Sequence, residues 1–561
     1  MKRLFALILC ISLLLSMTVT CTGAAEVGAT EIQKETILAA LYEADISELR
    51  MAIDEGLVTC TELTQYYLDR IEKYNDPFNC FITLCDDALE VAAQRDECIA
   101  KGEYQGALFG IPVVVKDNMD LSGFHTTNGL KKDKSQIAKS NADVVDYLLA
   151  EGAVIIAKAN MSTEAQNALR SYSQAVGETK NAYNQYLSAG GSSGGSAVST
   201  SLNFTAASLG TDTNSSLRIP AALAGCVSLR PTFGMISVTG IKKLNSTRDV
   251  PGAITRSVYD QVIMLDVLTQ GEHSYADNLN ANALQGMRIG VLKQLSYATT
   301  KTGLRQDANI DSEVAAALEN AISELKQCGA EVIEISMPNL FALSDKTFQN
   351  NKSSSKEALY EAFEELLQNE NVSAVIYPTY LSTPIRSGRD AEGKYWDVYD
   401  QTNINNCRTL TPSAGIPEIT VPIGVHSLGA GIGMEIASVK YSEQLLLDIA
   451  YSYTSQFDHR QTPAGAPNDY AQYYEGTIPQ LIELRDQPIM PESAGSENQQ
   501  HNPEISVDKP ANSQTRKIQV WPVVLLFVLV VLLVCTLIEM RNRRIRRKRK
   551  MERERRRIVS K

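Results

Sequence analysis

A serine-bearing pattern, Gly-x-Ser-x-Gly, occurs at residues Gly191–Gly195. In α/β-hydrolases this pattern holds a nucleophilic serine on a sharp turn between a buried strand and a helix. The residues that precede it here, KNAYNQYLSAG, are polar and turn-like, so they do not predict the strand that such a turn requires. The pattern by itself therefore does not predict a nucleophile elbow.

Lys116 is a candidate base of another kind. It ends the apolar run IPVVV, which predicts a buried strand with the amine at its carboxyl end, where open α/β sheets bind ligands. A lysine can activate a serine hydroxyl only while its amine is neutral. From a pKa of about 10.4, neutrality at pH 7 costs roughly 4–5 kcal/mol, which burial and a missing counter-ion must supply. The alternatives are an amine that extends to solvent or one that pairs with Asp117.

Other common catalytic arrangements are missing from the sequence, which contains neither HExxH nor a P-loop. The histidines are few and scattered, at His125, His273, His426, His459 and His501. A metal cage is not expected from such a distribution. We expect no metal and no cofactor.

Two ordered blocks, GGSSGGSA at 190–197 and GTDTNSSLRIPAA at 210–222, resemble the signature of the amidase signature family. The preceding segment LFGIPVVVKDNMDLSGFHTTNGL resembles the lysine-bearing strand of that family. The likeness extends from about Ser47 to the helix near Leu447 and thus covers most of the predicted globular region. The family includes the fatty acid amide hydrolases and the A subunit of glutamyl-tRNA amidotransferase.

This resemblance implies a Ser-cisSer-Lys triad. Ser216 would attack the amide carbonyl and become acylated, Ser192 would relay the proton, and Lys116 would be the final base and acid. The resemblance also implies that the side chain of Met161 lines the acyl pocket and that Asp212 and Arg218 form a structural pair. It implies an oxyanion hole made of backbone N–H groups, those of Thr213, Asn214, Ser215 and Ser216.

The chain departs from the family pattern just before the predicted nucleophile, where Asn214 and Ser215 replace two glycines. Glycine permits positive φ and close backbone approach; Asn tolerates left-handed geometry and Ser does so less readily. We therefore expect a reshaped oxyanion hole or weakened activity.

The elements that must position these residues alternate between strands and helices, which predicts an α/β fold around a largely buried sheet. Helical periodicity covers Thr30 to about Tyr74. Apolar runs at IPVVV, AVIIAKANM, MRIGVLKQ and AGIPEITVPIG predict strands, and the resemblance implies one large mixed sheet with helices on both faces.

Both ends of the chain contain long apolar segments. Residues 1–25 look like a signal peptide, and 518–539 predict one transmembrane helix because Val520–Ile538 contains no charge. Between them we expect an amidase domain at 26–485 and a polar stalk at 486–517, followed by a basic tail at 540–561. This order predicts an enzyme outside the cell membrane with a cytoplasmic tail.

Charge excludes nucleic acid as the main partner. The net charge is -12, and residues 541–561 carry thirteen Lys or Arg against two Glu, so about -23 falls on the rest. A body this acidic lacks the clustered cations that phosphates require.

Seven cysteines remain between the two apolar segments, at Cys60, Cys80, Cys85, Cys98, Cys226, Cys328 and Cys407. A disulfide among the first four and buried thiols are both compatible with their spacing.

The leading expectation is a membrane-anchored extracytoplasmic amidase that hydrolyses a small-molecule or peptide-like amide through an acyl-enzyme. The first alternative is a catalytically impaired amidase-like surface binding protein. The second is an amidotransferase component that releases ammonia, against which the export signal and the anchor argue. The sequence does not determine the oligomeric state.

Overall fold

The computed structural model describes residues 34–131, 136–297, 299–300, 303–304, 310–350, 352–382, 384–388 and 406–486. The predicted signal peptide, stalk, transmembrane helix and basic tail lie outside the described residues. Among the described helices, none is long and apolar enough to cross a membrane.

Two helices near the start of the described chain begin at capping boxes. Asp45 caps α1, Ile46–Asp54, and Thr59 caps α2, Cys60–Tyr74, and in each case a glutamate three residues later bonds back to the cap. These are the helices that the N-terminal periodicity predicts. Each buries one face against the core, with Leu49 and Leu63 completely inaccessible.

The other described helices alternate with strands along most of the chain. They are α3 Ala88–Lys101, α4 Asp143–Ala150, α5 Gly194–Ser201, α6 Arg218–Leu223, α7 Val258–Leu268, α8 Lys293–Ser296, α9 Ser312–Gln327, α10 Leu340–Asn350, α11 Ser353–Glu370, α12 Thr411–Ala414, α13 Glu443–Thr454 and α14 Ile478–Asp486.

The described strands form one large sheet and two short hairpins. They are β1 Phe81–Leu84, β2 Pro112–Lys116, β3 Val154–Ala159, β4 Tyr172–Ser173, β5 Gly177–Glu178, β6 Ala207–Asp212, β7 Val227–Arg230, β8 Val250–Thr255, β9 Arg288–Leu292, β10 Thr299–Thr300, β11 Gly303–Leu304, β12 Glu331–Ile335, β13 Ala374–Pro378, β14 Glu418–His426 and β15 Ala430–Ala437.

The large sheet is mixed, with eleven strands in the order β1-β3-β2-β6-β8-β7-β14-β15-β13-β9-β12. Strands β3, β2 and β6 are mutually parallel, as are β13, β9 and β12, and antiparallel pairs join the two groups. This arrangement confirms the predicted α/β class and the mixed central sheet. Every residue of β2, β3 and β6 is buried, which explains the apolar runs PVVV in β2 and VIIA in β3.

The Gly- and Ser-rich segment after residue 190 is part of the core. Helix α5 is buried at every position, because its small side chains allow neighbouring segments of the protein to approach closely. A Cβ at Gly195 would lie 2.3 Å from the Asn160 carbonyl oxygen, so no larger residue fits there. The segment includes two loops near the end of β2, one with Ser192 and the other with Ser216.

The cysteines of the described region are free thiols. Six of them are buried and Cys98 is partly exposed. Of the two alternatives compatible with the sequence, the structure therefore has the buried thiols.

Candidate active site

Lys116 is the last residue of β2, and its side chain is 0% exposed. Its Nζ lies 2.7 Å from Ser192 Oγ, 2.8 Å from Ser193 Oγ and 2.9 Å from Thr211 Oγ1. The Thr211 carbonyl oxygen is 3.5 Å away. The amine is thus surrounded by hydroxyls, and its hydrogen-bond partners among the described residues include no carboxylate.

Burial lowers the pKa of Lys116 to about 7. Asp212 and Asp249 act in the opposite direction through their charge, but the effect of burial dominates. An amine with this pKa is about half neutral at pH 7 and can accept a proton there.

Asp117, the adjacent residue, pairs with a different lysine. Lys158 Nζ is 3.5 Å from Asp117 Oδ1, and both side chains are completely buried. The backbone N–H and the hydroxyl of Thr127 also donate to Asp117. Neither alternative for Lys116, exposure to solvent or pairing with Asp117, is therefore found.

Ser192 lies in a loop held by its backbone. The Gly191–Ser192 peptide bond is cis, and the Ser192 carbonyl accepts from the N–H of Ser162 at 3.1 Å and from the Ser171 hydroxyl at 3.2 Å. A Cβ at Gly191 would lie 2.3 Å from the Asn167 carbonyl oxygen, so this close approach requires glycine. No strand directly precedes the loop, as the polar residues before the Gly-x-Ser-x-Gly pattern predict.

Ser216 is brought beside this loop by a backbone hydrogen bond. The N–H of Ser193 donates to the Ser216 carbonyl at 3.2 Å. Ser216 is 5% exposed, and its hydroxyl makes no hydrogen bond within the described part of the chain. The hydroxyl is thus uncommitted in a largely buried position.

The loop from Thr213 to Ser215 leaves backbone donors available. No acceptor for the N–H groups of Thr213, Asn214 or Ser216 occurs among the described residues. Neither Asn214 nor Ser215 has positive φ, so this loop does not need the backbone conformation that favours glycine. The replacement of two glycines is therefore compatible with an unstrained loop.

Two neighbouring side chains fix that loop. The Thr213 hydroxyl donates to Asp249 Oδ1 at 2.6 Å, and Arg248 Nη1 donates to Asn214 Oδ1 at 3.1 Å. Both acceptor and donor come from the turn just before β8. The loop is therefore anchored at two consecutive residues.

Asp212 and Arg218 belong to a buried ionic network at the base of the loop. Arg218 Nε is 3.1 Å from Asp212 Oδ2, and Arg218 also contacts Glu418. Arg230 Nη1 is 2.9 Å from Asp212 Oδ1. Arg218 Nη2 donates to the Asn214 carbonyl at 2.7 Å, which links the network to the loop.

Met161 is completely buried and packs in a small apolar cluster with Ile82 and Ala165. A shallow cleft of about 10 Å³ next to Thr211 and Thr213 is lined by Ala165 but not by Met161. Met161 therefore lies behind the wall of this cleft, and its predicted contact with a substrate stays a prediction.

Several residues of the site were not predicted from the sequence. Ser193 and Thr211 both contact the lysine amine, while Arg248 and Asp249 anchor the nucleophile loop. Ser193 and Thr211 lie within the two signature blocks, so their position was a usable signal. The other two carry no local signal, because their contacts depend on the pairing of β6 with β8.

Comparisons with known proteins show which proteins this chain is similar to. The chain is 28% identical over 482 residues to the A subunit of the glutamyl-tRNA(Gln) amidotransferase from Alkaliphilus metalliredigens, and the match covers 73% of this chain and 96% of the relative. It is 34% identical over 309 residues to the protein of the same name from Thermoanaerobacter pseudethanolicus, covering 53% of this chain and 61% of the relative.

A solved structure supports the same grouping. The native peptide amidase from Stenotrophomonas maltophilia superimposes with a TM-score of 0.63 at 25% identity, covering 76% of this chain and 99% of the amidase. The Amidase family model matches residues 62–350, just over half of the sequence. This chain therefore belongs to the amidase signature family, whose members act on amides.

Proposed function

We propose that this protein is an amidase that hydrolyses a carboxamide C–N bond through an acyl-enzyme on Ser216. The observation that carries the proposal is the buried amine of Lys116, which lies 2.7 Å from Ser192 Oγ and has a pKa near neutrality. A base of this kind has no evident structural use, because a buried lysine without a carboxylate partner costs stability.

The hydrogen bonds around the amine favour one direction of proton transfer. A neutral amine has two N–H donors and one lone pair. Thr211 Oγ1 accepts from Asn118 as well as from the amine, and the Ser193 hydroxyl donates to the Thr211 carbonyl. Ser193 Oγ and Thr211 Oγ1 are the acceptors for the two N–H groups of the amine. The Ser192 hydroxyl is therefore left to donate to the lone pair of Lys116.

The proposed reaction begins when Ser216 Oγ forms a bond to the amide carbon. Its proton passes to Ser192, and the proton of Ser192 passes to Lys116. The carbonyl oxygen becomes an oxyanion, and we propose that the N–H groups of Thr213, Asn214 and Ser216 stabilise it. The N–H of Ser215 stays a predicted fourth donor to this oxygen.

The second half reverses the relay. The C–N bond breaks as the proton on Lys116 returns through Ser192 to the leaving amine, which leaves an ester on Ser216. Water then attacks that ester, and its proton passes through Ser192 to Lys116. The bond between the acyl carbon and Ser216 Oγ breaks as this proton returns through Ser192 to Ser216 Oγ, which regenerates the serine hydroxyl. The products are a carboxylic acid and an amine or ammonia.

We propose a small-molecule or peptide-like amide as the substrate. This choice is supported by the peptide amidase among the similar structures. We also propose that the enzyme is anchored outside the cell membrane by residues 518–539, on the sequence argument alone.

A second candidate function is supported by the relatives named as amidotransferase subunits. In that case the ammonia released from the amide would be passed to another protein. The two candidates share the acyl-enzyme and differ in the fate of the ammonia. They are separated by whether purified protein alone releases free ammonia from amides at a sustained rate.

The proposal is tested with a fluorophosphonate probe, which reacts with an activated serine. We expect wild type to be labelled and peptide mapping to place the label on Ser216. Ser216→Ala should lose labelling and hydrolysis of an amide panel by roughly a thousandfold or more. Ser122→Ala is the matched control, because it removes an exposed serine hydroxyl and should keep the label. An unlabelled but folded wild type would contradict the proposal and favour the binding-protein alternative.

A further inference from the structure

A second cavity lies beside the turn before β8, the turn whose residues Arg248 and Asp249 contact the Thr213–Ser215 loop. It has a volume of about 390 Å³ and opens to solvent between the start of α11 and the turn after β7. Its lining includes Phe233, Thr247, Lys356 and Lys440. It shares no lining residue with the cleft beside Thr213.

Positive charge dominates this cavity. Of its described lining residues, Glu357 alone bears a carboxylate, and it is 3.6 Å from Lys440. Lys356 Nζ donates to the Thr247 carbonyl and lies 5.2 Å from the centre of the Phe233 ring. No carboxylate of the described residues pairs with Lys356, so within that part of the chain no acidic side chain balances its charge.

The surroundings of Lys356 add to this imbalance. Burial lowers its pKa to about 8, and Arg248, Arg230 and Lys440 contribute in the same direction. Arg230 is balanced by Asp212 and Lys440 by Glu357. Lys356 still carries its charge at pH 7, because that pH lies below its pKa.

We propose that this cavity binds the anionic group of a small molecule, a carboxylate or a phosphate, with Lys356 as its main charged contact. One N–H of the Lys356 amine is used by Thr247, and two remain for an anion. Ser353 lies one helical turn before Lys356 on α11 and also lines the cavity, so its hydroxyl adds a donor. An anion here would be bound by charge-assisted hydrogen bonds.

The site is connected to the catalytic loop through two residues. Lys356 bonds to the Thr247 carbonyl, and the next residue, Arg248, bonds to the Asn214 side chain. The anion is therefore either a group of the amide substrate itself or a separate ligand that acts on the loop. The chemistry of recognition is the same in both cases.

Binding is tested by titrating the full chain with inorganic phosphate and with succinate at constant ionic strength. We expect saturable binding to wild type and at least tenfold weaker binding to Lys356→Met. Lys356→Arg should restore affinity to within about threefold of wild type. Lys326→Met, which removes an exposed lysine of α9, is the matched control and should bind as wild type does.

Equal affinity of wild type and Lys356→Met, or no saturable binding to wild type, would overturn the proposal. Lys356→Gln is measured in parallel in case the methionine variant does not fold. Labelling of Ser216 without added anions tests the hydrolase proposal separately, so the two can fail independently.

Two further measurements identify the source of the anion. A substrate group is indicated if Lys356→Met raises KM at least tenfold for an anionic amide and leaves KM for its neutral analogue unchanged. A separate ligand is indicated if phosphate changes the rate of Ser216 labelling in wild type but not in Lys356→Met. Binding that alters neither quantity would indicate an adventitious ion only and would count against the proposal.

Discussion

The chemistry proposed for this protein depends on one amine in an unusual environment. Lys116 has no carboxylate partner among the described residues, while Lys158, one strand away, has Asp117. Both lysines are buried, and burial lowers the pKa of both. The partner separates their roles, because Asp117 counteracts the effect of burial on Lys158 and favours its charged form.

The first prediction concerns the pH dependence of this amine. Because the neutral form is the base, kcat/KM of wild type should rise with pH, with a midpoint near 7, and level off above it. In Lys116→Ala the serine must lose its proton to solvent, so activity should continue to rise with pH. The defect should be about 10²-fold or more near pH 7 and shrink toward pH 10. A constant defect between pH 7 and 10 would contradict this role.

The second prediction concerns the contact between Arg248 and Asn214. If this contact holds the backbone donors in place, Asn214→Gly and Arg248→Met should each slow Ser216 labelling by about three- to tenfold. The double variant should be no slower than either single variant, because both changes remove one interaction. Labelling rates with melting temperatures as a folding control measure this cycle. Multiplying effects would show that the two residues act independently.

At the scale of elements, the ionic network joins four parts of the sheet region. Asp212 ends β6, Arg218 begins α6, Arg230 ends β7 and Glu418 begins β14. Burial and the charge of Glu418 raise the pKa of Glu435 on β15 well above its usual range. Arg218 Nη1 lies 3.7 Å from Glu435 Oε2 as well, so the guanidinium groups of Arg218 and Arg230 offset the buried carboxylates of this network.

The third prediction follows from that balance. Arg218→Met would leave Glu418 buried without its cation and should lower the free energy of unfolding by about 3–5 kcal/mol. Lys101→Met is a matched control, because its exposed pair with Glu97 should contribute less than about 1 kcal/mol. Chemical denaturation measures both. Comparable small effects in the two variants would show that the network does not stabilise the fold.

For the whole molecule, the acidic body and the basic tail suggest that different parts of the chain serve catalysis and attachment. The described fold ends with α14 at Asp486. The apolar run Val520–Ile538 and the thirteen cations that follow come later in the sequence.

The fourth prediction concerns attachment. A chain that ends at Asp486 should keep fluorophosphonate labelling of Ser216, while the full chain should also sediment with membranes and resist extraction by salt. Fractionation followed by labelling measures both properties. Release of the full chain by salt alone would contradict a transmembrane anchor.

The sequence by itself determined the fold class, the strand that carries Lys116, and the two serine-bearing blocks. Periodicity and apolar runs are local properties, because the order of apolar and polar residues along a segment indicates which of its side chains are buried. The family resemblance named three catalytic residues, Lys116, Ser192 and Ser216. In the structure, Ser192 contacts Lys116, and the backbone of Ser216 contacts that of Ser193. Strand and helix positions in these segments agree with the prediction.

Tertiary structure alone decided the state of the amine. The sequence left open whether Lys116 pairs with Asp117, because adjacency in sequence does not determine which groups surround each side chain in the fold. Only the parallel pairing of β2 with β3 brings Lys158 to Asp117 and leaves Lys116 to hydroxyls. Likewise, Arg248 reaches Asn214 and Lys356 reaches Thr247 across long separations in sequence. Such contacts depend on strand order and register, and a single sequence contains no local signal for either.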